Sequence, residues 1–377
     1  MEDWDVIVVG AGPAGSLAAL GALRARPGAR VLLLDRADFP RDKVCGDALG
    51  PACLSLLAAV GLGSVTDGYP EQGQFELASR RISARHPLAS PVTVVPRAVL
   101  DARLRDAAVA AGAVARTVRV RDVAAGPDAV VLDGQLRTPV LVGADGAESV
   151  VRRAVLPAAR RSAPVAVSVR GYGPTRRDVP LIMSAGSDWP SYAWEFPLGD
   201  GTANIGYIAT PAPGTHPSRA EMLEQAVALL PDSAPGVTEW RGHRLPMAPA
   251  RPYLPDGRVL LVGDAAALVN PSSGEGIFDA LLSGWLAGAS AHEGAGAGAA
   301  YRTRLRRAHG RHQRHAALVA RACRSDRLAE AGLRLAARDA GFFRSISGVA
   351  LGDGALGPLV TARAVVRDRV ALLSRRS

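Results

Sequence analysis

The feature that most constrains this chain is the hexapeptide Gly10-Ala11-Gly12-Pro13-Ala14-Gly15, set between segments of opposite character. Asp5 to Val9 before it is a short apolar run of the kind that forms a buried strand. An alanine-rich, helix-like stretch follows to about Arg26, and Val31 to Leu34 is a second apolar run ending at Asp35. Strand, glycine turn, helix and strand open a βαβ unit. In such a turn Gly10 permits the tight bend, Gly12 lets a pyrophosphate approach the backbone, and Gly15 lets the helix pack against the sheet. Pro13 and Ala14 begin the helix, whose free N–H groups and positive dipole end suit phosphates. Asp35 stands at the end of the second strand, where an acidic residue takes a ribose hydroxyl, and Arg36 follows it.

Two more motifs follow buried-strand runs. Val140-Leu141-Val142 leads into Gly143-Ala144-Asp145-Gly146-Ala147-Glu148-Ser149. Val259 to Val262 leads into Gly263-Asp264-Ala265-Ala266, then Asn270-Pro271 and Gly274-Glu275-Gly276-Ile277. Carboxylates at strand ends accept from ribose or ribityl hydroxyls, which would give Asp145 and Asp264 their role. The plain alternative is that each caps a helix. A nicotinamide dinucleotide needs no such distant second and third sites, whereas a flavin with its ribityl chain does. FAD is therefore expected, held without a covalent bond, since no histidine or cysteine stands in a flavin-linking context.

The expected fold is α/β: a Rossmann-type FAD-binding domain with an interrupting β-sheet substrate domain and C-terminal helices. Residues 1–68, 96–157 and 250–300 are assigned to the first, 69–95 and 158–249 to the second, and 301–377 to a C-terminal helical segment. Leu100 to Ala111 reads as a helix, 116–142 as a meander, and 301–340 and 361–377 as helices. Tyr192, Trp194 and Phe196 share one face by the period of two, and Gly199-Asp200-Gly201 makes a hairpin turn. From spacing alone that aromatic face is ordinary core. His309, His312 and His315, among Arg307, Arg311 and Arg314, read as a solvated basic helix face and not a metal site.

The apolar fraction of 48% excludes a disordered chain, and no apolar stretch is long enough to span a membrane. Three scattered cysteines, Cys45, Cys53 and Cys323, make neither a disulfide framework nor a zinc site and fit a cytoplasmic protein. The net charge is +10, with Lys43 the single lysine. A solvated surface accounts for that charge; otherwise it suits an acidic carrier protein or peripheral membrane contact. The cations are spread out with no nucleic-acid motif, so nucleic acid is not expected as a partner.

Together the three glycine motifs resemble the flavoprotein group of aromatic hydroxylases, flavin halogenases and geranylgeranyl reductases. The geranylgeranyl reductase family is the most similar. Asp42-Lys43-Val44-Cys45-Gly46-Asp47-Ala48-Leu49-Gly50-Pro51 resembles its Lys-x-Cys-Gly segment, particularly in the menaquinone-reducing branch. Tyr192-Ala193-Trp194-Glu195-Phe196-Pro197 resembles its Tyr-x-Trp-x-Phe-Pro strand. The family then has Gly-x-Gly, but here Gly206 is followed by Tyr207 and Ile208. The resemblance implies FAD contacts at Gly10, Gly12, Gly15, Asp35, Arg97, Asp145, Asp264, Gly274 and Gly276, with Pro13, Ala14, Arg36, Cys45, Gly263, Pro271, Glu275 and Ile277 beside them. It implies catalysis at Cys45 and Gly46, and a cavity for a hydrophobic small-molecule substrate lined by Tyr192, Trp194 and Phe196. It implies hydride transfer from the flavin to a C=C bond of a prenyl or lipid-like substrate. The alternative is a monooxygenase or dehydrogenase tailoring a secondary metabolite. NAD(P)H or a reduced protein donor would supply electrons.

Overall fold

The computed structural model describes residues 1–158, 163–185, 191–211, 215, 217–249, 252–352, 354 and 356; the helix expected over 361–377 lies outside them. The strands, in chain order, begin with β1 (Glu2–Asp3), β2 (Val6–Val9), β3 (Val31–Asp35), β4 (Ala48–Leu49), β5 (Glu71–Ala78) and β6 (Ser83–Val94). Next come β7 (Val114–Thr117), β8 (Val123–Ala125), β9 (Val130–Leu132), β10 (Leu136–Thr138) and β11 (Val140–Gly143). The series ends with β12 (Val165–Pro174), β13 (Leu181–Ser184), β14 (Tyr192–Pro197), β15 (Thr202–Ala209), β16 (Arg241–Pro246) and β17 (Val259–Leu261). The helices are α1 (Pro13–Ala25), α2 (Pro51–Ala59), α3 (Arg97–Ala110), α4 (Val150–Val155) and α5 (Arg219–Leu229). After them come α6 (Ile277–Ser290), α7 (Ala297–Cys323), α8 (Asp326–Arg338) and α9 (Ala340–Ala350).

The order β17-β11-β2-β3-β7 makes a parallel five-stranded sheet, in which Val8 faces Val142 on one side and Leu33 on the other. Its central strands are continuous Val/Leu/Ile runs because helices cover both faces. Helices α1 and α6 approach so closely that a Cβ on Gly284 would stand 2.0 Å from the Ala14 carbonyl oxygen. Small residues along both helices allow this, and it sets the start of α1 against the middle of α6. Strands β1-β10-β9-β8 form a small separate sheet.

The order β16-β12-β15-β14-β13-β5-β6-β4 makes an eight-stranded sheet. One face carries Ala193, Ile205 and Tyr207 against Met222, Ala226 and Leu229 of α5. The other carries Tyr192, Trp194, Phe196 and Ile208 against Ala336 of α8 and Phe343 of α9. Strand β4 lies in a stretch assigned by sequence to the nucleotide domain, yet it pairs with β6 in this large sheet. The chain therefore crosses between the two sheets at residues 42–50.

One expectation is overturned here. His309 and His312 on α7 are not a solvated face: they are 1% and 4% exposed and stack at 4.6 Å. His309 meets Asp279 of α6 at 2.7 Å, and His312 meets Asn270 at 3.2 Å and the Gly354 carbonyl at 2.8 Å. The helical period puts the arginines outward and these imidazoles inward, where they satisfy buried polar groups of the third glycine motif. Among the described residues no helix is long and apolar enough to cross a membrane.

Candidate active site

The first glycine turn is built by close approach. Gly10 has φ +100°, and a Cβ on Gly15 would stand 1.7 Å from the Gly10 carbonyl oxygen, so neither position tolerates a side chain. Above Gly12 the space is bounded by polar side chains. A Cβ there would lie 3.3 Å from Arg41, 3.7 Å from Asp101 and 3.9 Å from Arg97. Helix α1 starts at Pro13 with no side-chain cap, which leaves its first N–H groups for a ligand. Asp35 closes β3 with Oδ2 accepting the Ala11 N–H at 2.8 Å and Oδ1 the Ala37 N–H at 3.1 Å. Arg97 is buried and forked onto Asp101 at 2.6 and 2.8 Å, and Arg41 joins the same carboxylate at 3.1 Å. Two guanidiniums over an uncapped helix start form a cradle suited to a pyrophosphate. Arg36 is exposed just beyond β3.

The second and third motifs meet through Arg152, which donates to the carbonyls of Asp264 and Ala265 at 3.1 and 3.2 Å. Asp145 caps α4: Oδ2 accepts the N–H groups of Val150 and Val151, and Oδ1 accepts the Ser149 hydroxyl. Its carboxylate serves that helix start. Asp264, on a turn that begins at the buried Gly263, takes the Lys43 ammonium at 2.8 Å. Burial pushes this carboxyl up, but the charge and hydrogen bond of Lys43, with Arg97 beyond, outweigh it and hold it below its ordinary value. His243 is pushed down to about 4, first by burial and then by Lys43, so its imidazole is neutral.

Asn270 organises the loop ahead of α6. Its Oδ1 accepts from the Ser272 backbone and hydroxyl, while its Nδ2 donates to the Val349 carbonyl at 2.8 Å. The Ser273 hydroxyl bonds the Ala350 carbonyl, so the end of α9 grips this loop. Pro271 is half-buried and Ile277 buried. Gly276 precedes α6 without a side-chain cap, and a Cβ on it would stand 3.7 Å from Asp264 Oδ1. Glu275 Oε1 accepts the Phe278 N–H, whereas its buried Oε2 finds no partner among the described residues. Burial and then the Asp279 charge push this carboxyl up, so it stays protonated at neutral pH.

The loop of residues 42–47 brings Cys45 and Gly46 onto the aromatic wall. A Cβ on Gly46 would lie 3.1 Å from the Phe196 ring and 3.6 Å from the Trp194 indole nitrogen. Tyr192, Trp194 and Phe196 are all buried, with ring centroids 6.2 and 6.4 Å apart in sequence order. The Tyr192 hydroxyl donates to the Ser273 carbonyl, which joins the wall to the loop before α6. Ile208 lies beside Tyr192, and a Cβ on Gly274 would stand 2.7 Å from its Cδ1. Gly206 backs the indole so tightly that a Cβ there would lie 2.2 Å from Trp194 Cζ2. Burial pushes the Cys45 thiol up, so it stays a neutral S–H.

Sequence reasoning assigned no role to five residues that build this end: Asp47, Arg170, Tyr172, Asn204 and His243. Arg170, 2% exposed, donates to Asp42 at 2.7 Å and to the carbonyls of Lys43 and Cys45. Arg170 and Asn204 were detectable as polar residues inside apolar strand runs, and Asp47 as the neighbour of Cys45-Gly46. His243 carries no comparable signal.

Comparison with known proteins follows this geometry. Residues 3–179 match the family described as FAD binding domain. The chain is 35% identical over 313 residues to a menaquinone reductase of Mycolicibacterium smegmatis, covering 75% of each chain. It is 34% identical over 313 residues to a geranylgeranyl diphosphate reductase of Rhodobacter capsulatus, covering 74% of this chain and 73% of that one. The chain belongs to the geranylgeranyl reductase family. It is an FAD-dependent oxidoreductase, and FAD is the cofactor that the cradle over Gly12 fits. A geranylgeranyl bacteriochlorophyll reductase-like protein of Thermoplasma acidophilum shares the fold, with TM-score 0.78 at 18% identity over 97% of this chain and 96% of that one.

Proposed function

We propose that this family member reduces C=C bonds of a prenyl or other lipid-like substrate. The observation that carries the reading is the buried wall of Tyr192, Trp194 and Phe196, with the Cys45–Gly46 loop laid across its end. The names of the menaquinone and geranylgeranyl diphosphate reductases above support it. Bound FAD, once reduced, supplies a hydride to one carbon of the double bond. Gly12, Arg41 and Arg97 would hold its pyrophosphate, and Asp264 its ribityl chain. The second carbon needs a proton, which we assign to Cys45: burial keeps its thiol protonated, and its neighbour Gly46 lies against the aromatic wall. The alkene gains hydride and proton, and the thiolate left behind regains its proton from solvent. The electrons come from NAD(P)H or a reduced protein donor.

An apolar wall favours a long isoprenoid, because each buried CH₂ contributes about 0.8 kcal/mol. A net charge of +10 suits an acidic carrier protein or an anionic membrane surface as the place where such a substrate is met, in a cytoplasmic enzyme with peripheral attachment. Anaerobic reduction of the flavin followed by addition of geranylgeraniol tests the reading. Reoxidation with a saturated product supports it. No reoxidation by the alkene, together with an oxygenated product once air is admitted, replaces it with the monooxygenase alternative.

A further inference from the structure

The loop that carries Cys45 is held by a polar cluster that the reaction above does not use, and Asp47 lies at its centre. Asp47 is 0% exposed and has a left-handed backbone, φ 62°, which Asp and Asn tolerate better than most residues. Its Oδ2 accepts from the Tyr172 hydroxyl at 2.5 Å and from Asn204 Nδ2 at 2.7 Å. Its Oδ1 is buried with no partner among the described residues. Asn204 does more than meet Asp47. The same Nδ2 donates to the Cys45 carbonyl at 2.8 Å, and its Oδ1 accepts the Trp194 indole N–H at 2.7 Å. One amide thus joins the carboxylate, the loop of the candidate proton donor and the central residue of the aromatic wall.

The groups facing Asp47 come from several elements. Arg170 and Tyr172 approach from β12, Asn204 from β15, Arg97 from α3 and Cys45 from its own loop. Neither arginine is committed to Asp47: Arg170 pairs with Asp42 and Arg97 with Asp101. The carboxylate therefore accepts hydrogen bonds from neutral donors alone, with the arginine charges acting from farther off, and its unpartnered Oδ1 can take a proton without displacing either donor.

We propose that Asp47 is a titrating positioning residue, which as a carboxylate locks Asn204, the Cys45 loop and Trp194 into one arrangement and on protonation releases it. The physical basis is that hydrogen bonds to an ionised acceptor are about twice as strong as neutral ones, so a proton on Oδ1 weakens both bonds at Oδ2. Burial, only partly offset by Arg170, Tyr172 and Asn204, raises the carboxyl to about 6, which puts the change within reach of ordinary pH. The proposal rests on the reading of Cys45 and Trp194 as the reacting end.

The test uses flavin-loaded protein labelled with nitrogen-15 at tryptophan, with the Trp194 indole resonance assigned by its loss in Trp194→Phe. Between about pH 5 and pH 8 that resonance should titrate once, with a midpoint near 6, in the parent protein. It should not titrate in Asp47→Asn, whose amide keeps the left-handed turn and an acceptor but cannot ionise. Should the Asn variant not load flavin, Asp47→Gly, which suits the same φ, must show the same loss. A flat parent curve, or a titration that persists in the variant, overturns the proposal. A second arm follows anaerobic flavin reoxidation by geranylgeraniol. The parent should lose up to about tenfold in rate per pH unit below the midpoint, a limb missing from Asp47→Asn; a limb that stays in the variant is a contrary result. If geranylgeraniol never reoxidises the flavin, the reductase reading fails, and the resonance arm still decides the role of Asp47.

Discussion

Gly206→Ala puts a methyl group where the structure has no room. Its Cβ would stand 2.2 Å from Trp194 Cζ2, 2.5 Å from Cη2 and 2.5 Å from the Val169 carbonyl oxygen. Ordinary carbon contacts lie at roughly 3.5–4.0 Å, so the indole must retreat by more than about 1 Å while the backbone oxygen, fixed in the β12–β15 ladder, resists. Overpacking of this kind costs about 1–3 kcal/mol. The retreat also breaks the 2.7 Å bond from the indole N–H to Asn204, worth about 0.5–1.5 kcal/mol. Together the loss is about 1.5–4.5 kcal/mol. With an unfolding entropy of about 2.1 cal/mol/K per residue over 377 residues, the midpoint of thermal unfolding should fall by roughly 2–6 °C. Flavin content should stay at the parent level, because Gly206 touches none of the glycine motifs. Calorimetry on the loaded protein measures the first effect and visible flavin absorbance the second. An unfolding midpoint within about 1 °C of the parent, with the Trp194 indole resonance unmoved, would refute the claim that Gly206 seats the indole.

Three further outcomes follow from other contacts. Gly12→Val fills the space bounded by Arg41, Asp101 and Arg97, so the variant should purify without flavin while the parent releases intact FAD on acid precipitation; a yellow Gly12→Val protein would remove the basis for placing the pyrophosphate there. Ile208→Ala deletes packing beside Tyr192 and Gly274; it should lower stability by about 2–5 kcal/mol and raise turnover of substrates with bulkier heads relative to the parent, and an unchanged unfolding curve argues against it. Glu275 is pushed up by burial and by Asp279, so the folded state keeps a proton that the unfolded chain gives up above about pH 4.3. The parent should then lose stability as pH rises from that value toward the raised folded pKa, and Glu275→Gln, which cannot ionise, should flatten this slope. Identical slopes in urea titrations of the two proteins would show that the carboxyl is not held neutral.

The nucleotide half was legible because each function there sits in a local motif. A strand run, a glycine turn and a terminal acid lie close together in sequence, and the backbone chemistry that demands them is local too. The aromatic wall was half legible: the period of two put Tyr192, Trp194 and Phe196 on one face, but only the loop from Asp42 to Asp47 shows which residues meet that face. The polar cluster was not legible, because Asp47 stands more than a hundred residues from both Tyr172 and Asn204 and meets them only when its loop reaches the β12–β15 pair. Period also misled. His309 and His312 sit between arginines in sequence, yet the 3.6-residue turn carries the two kinds of side chain to opposite sides of α7. Asp145 shows the reverse case, where an acid at a strand end serves the next helix.

The strand order β17-β11-β2-β3-β7 has a consequence for how the protein is made. The turn at residues 10–15 leaves the ribosome well before the loop at residues 263–276 that completes the candidate flavin site. At about 5–20 residues per second, roughly 13–52 s separate Gly15 from Gly276. During that interval β11 has no neighbour on its outer edge, since β17 is the strand that covers it. The grip of Val349 and Ala350 on the Asn270–Ser273 loop forms later still. The full set of residues that would hold the flavin is therefore present only after residues 349–350 have been made, so a chain that stops short of them should load FAD poorly.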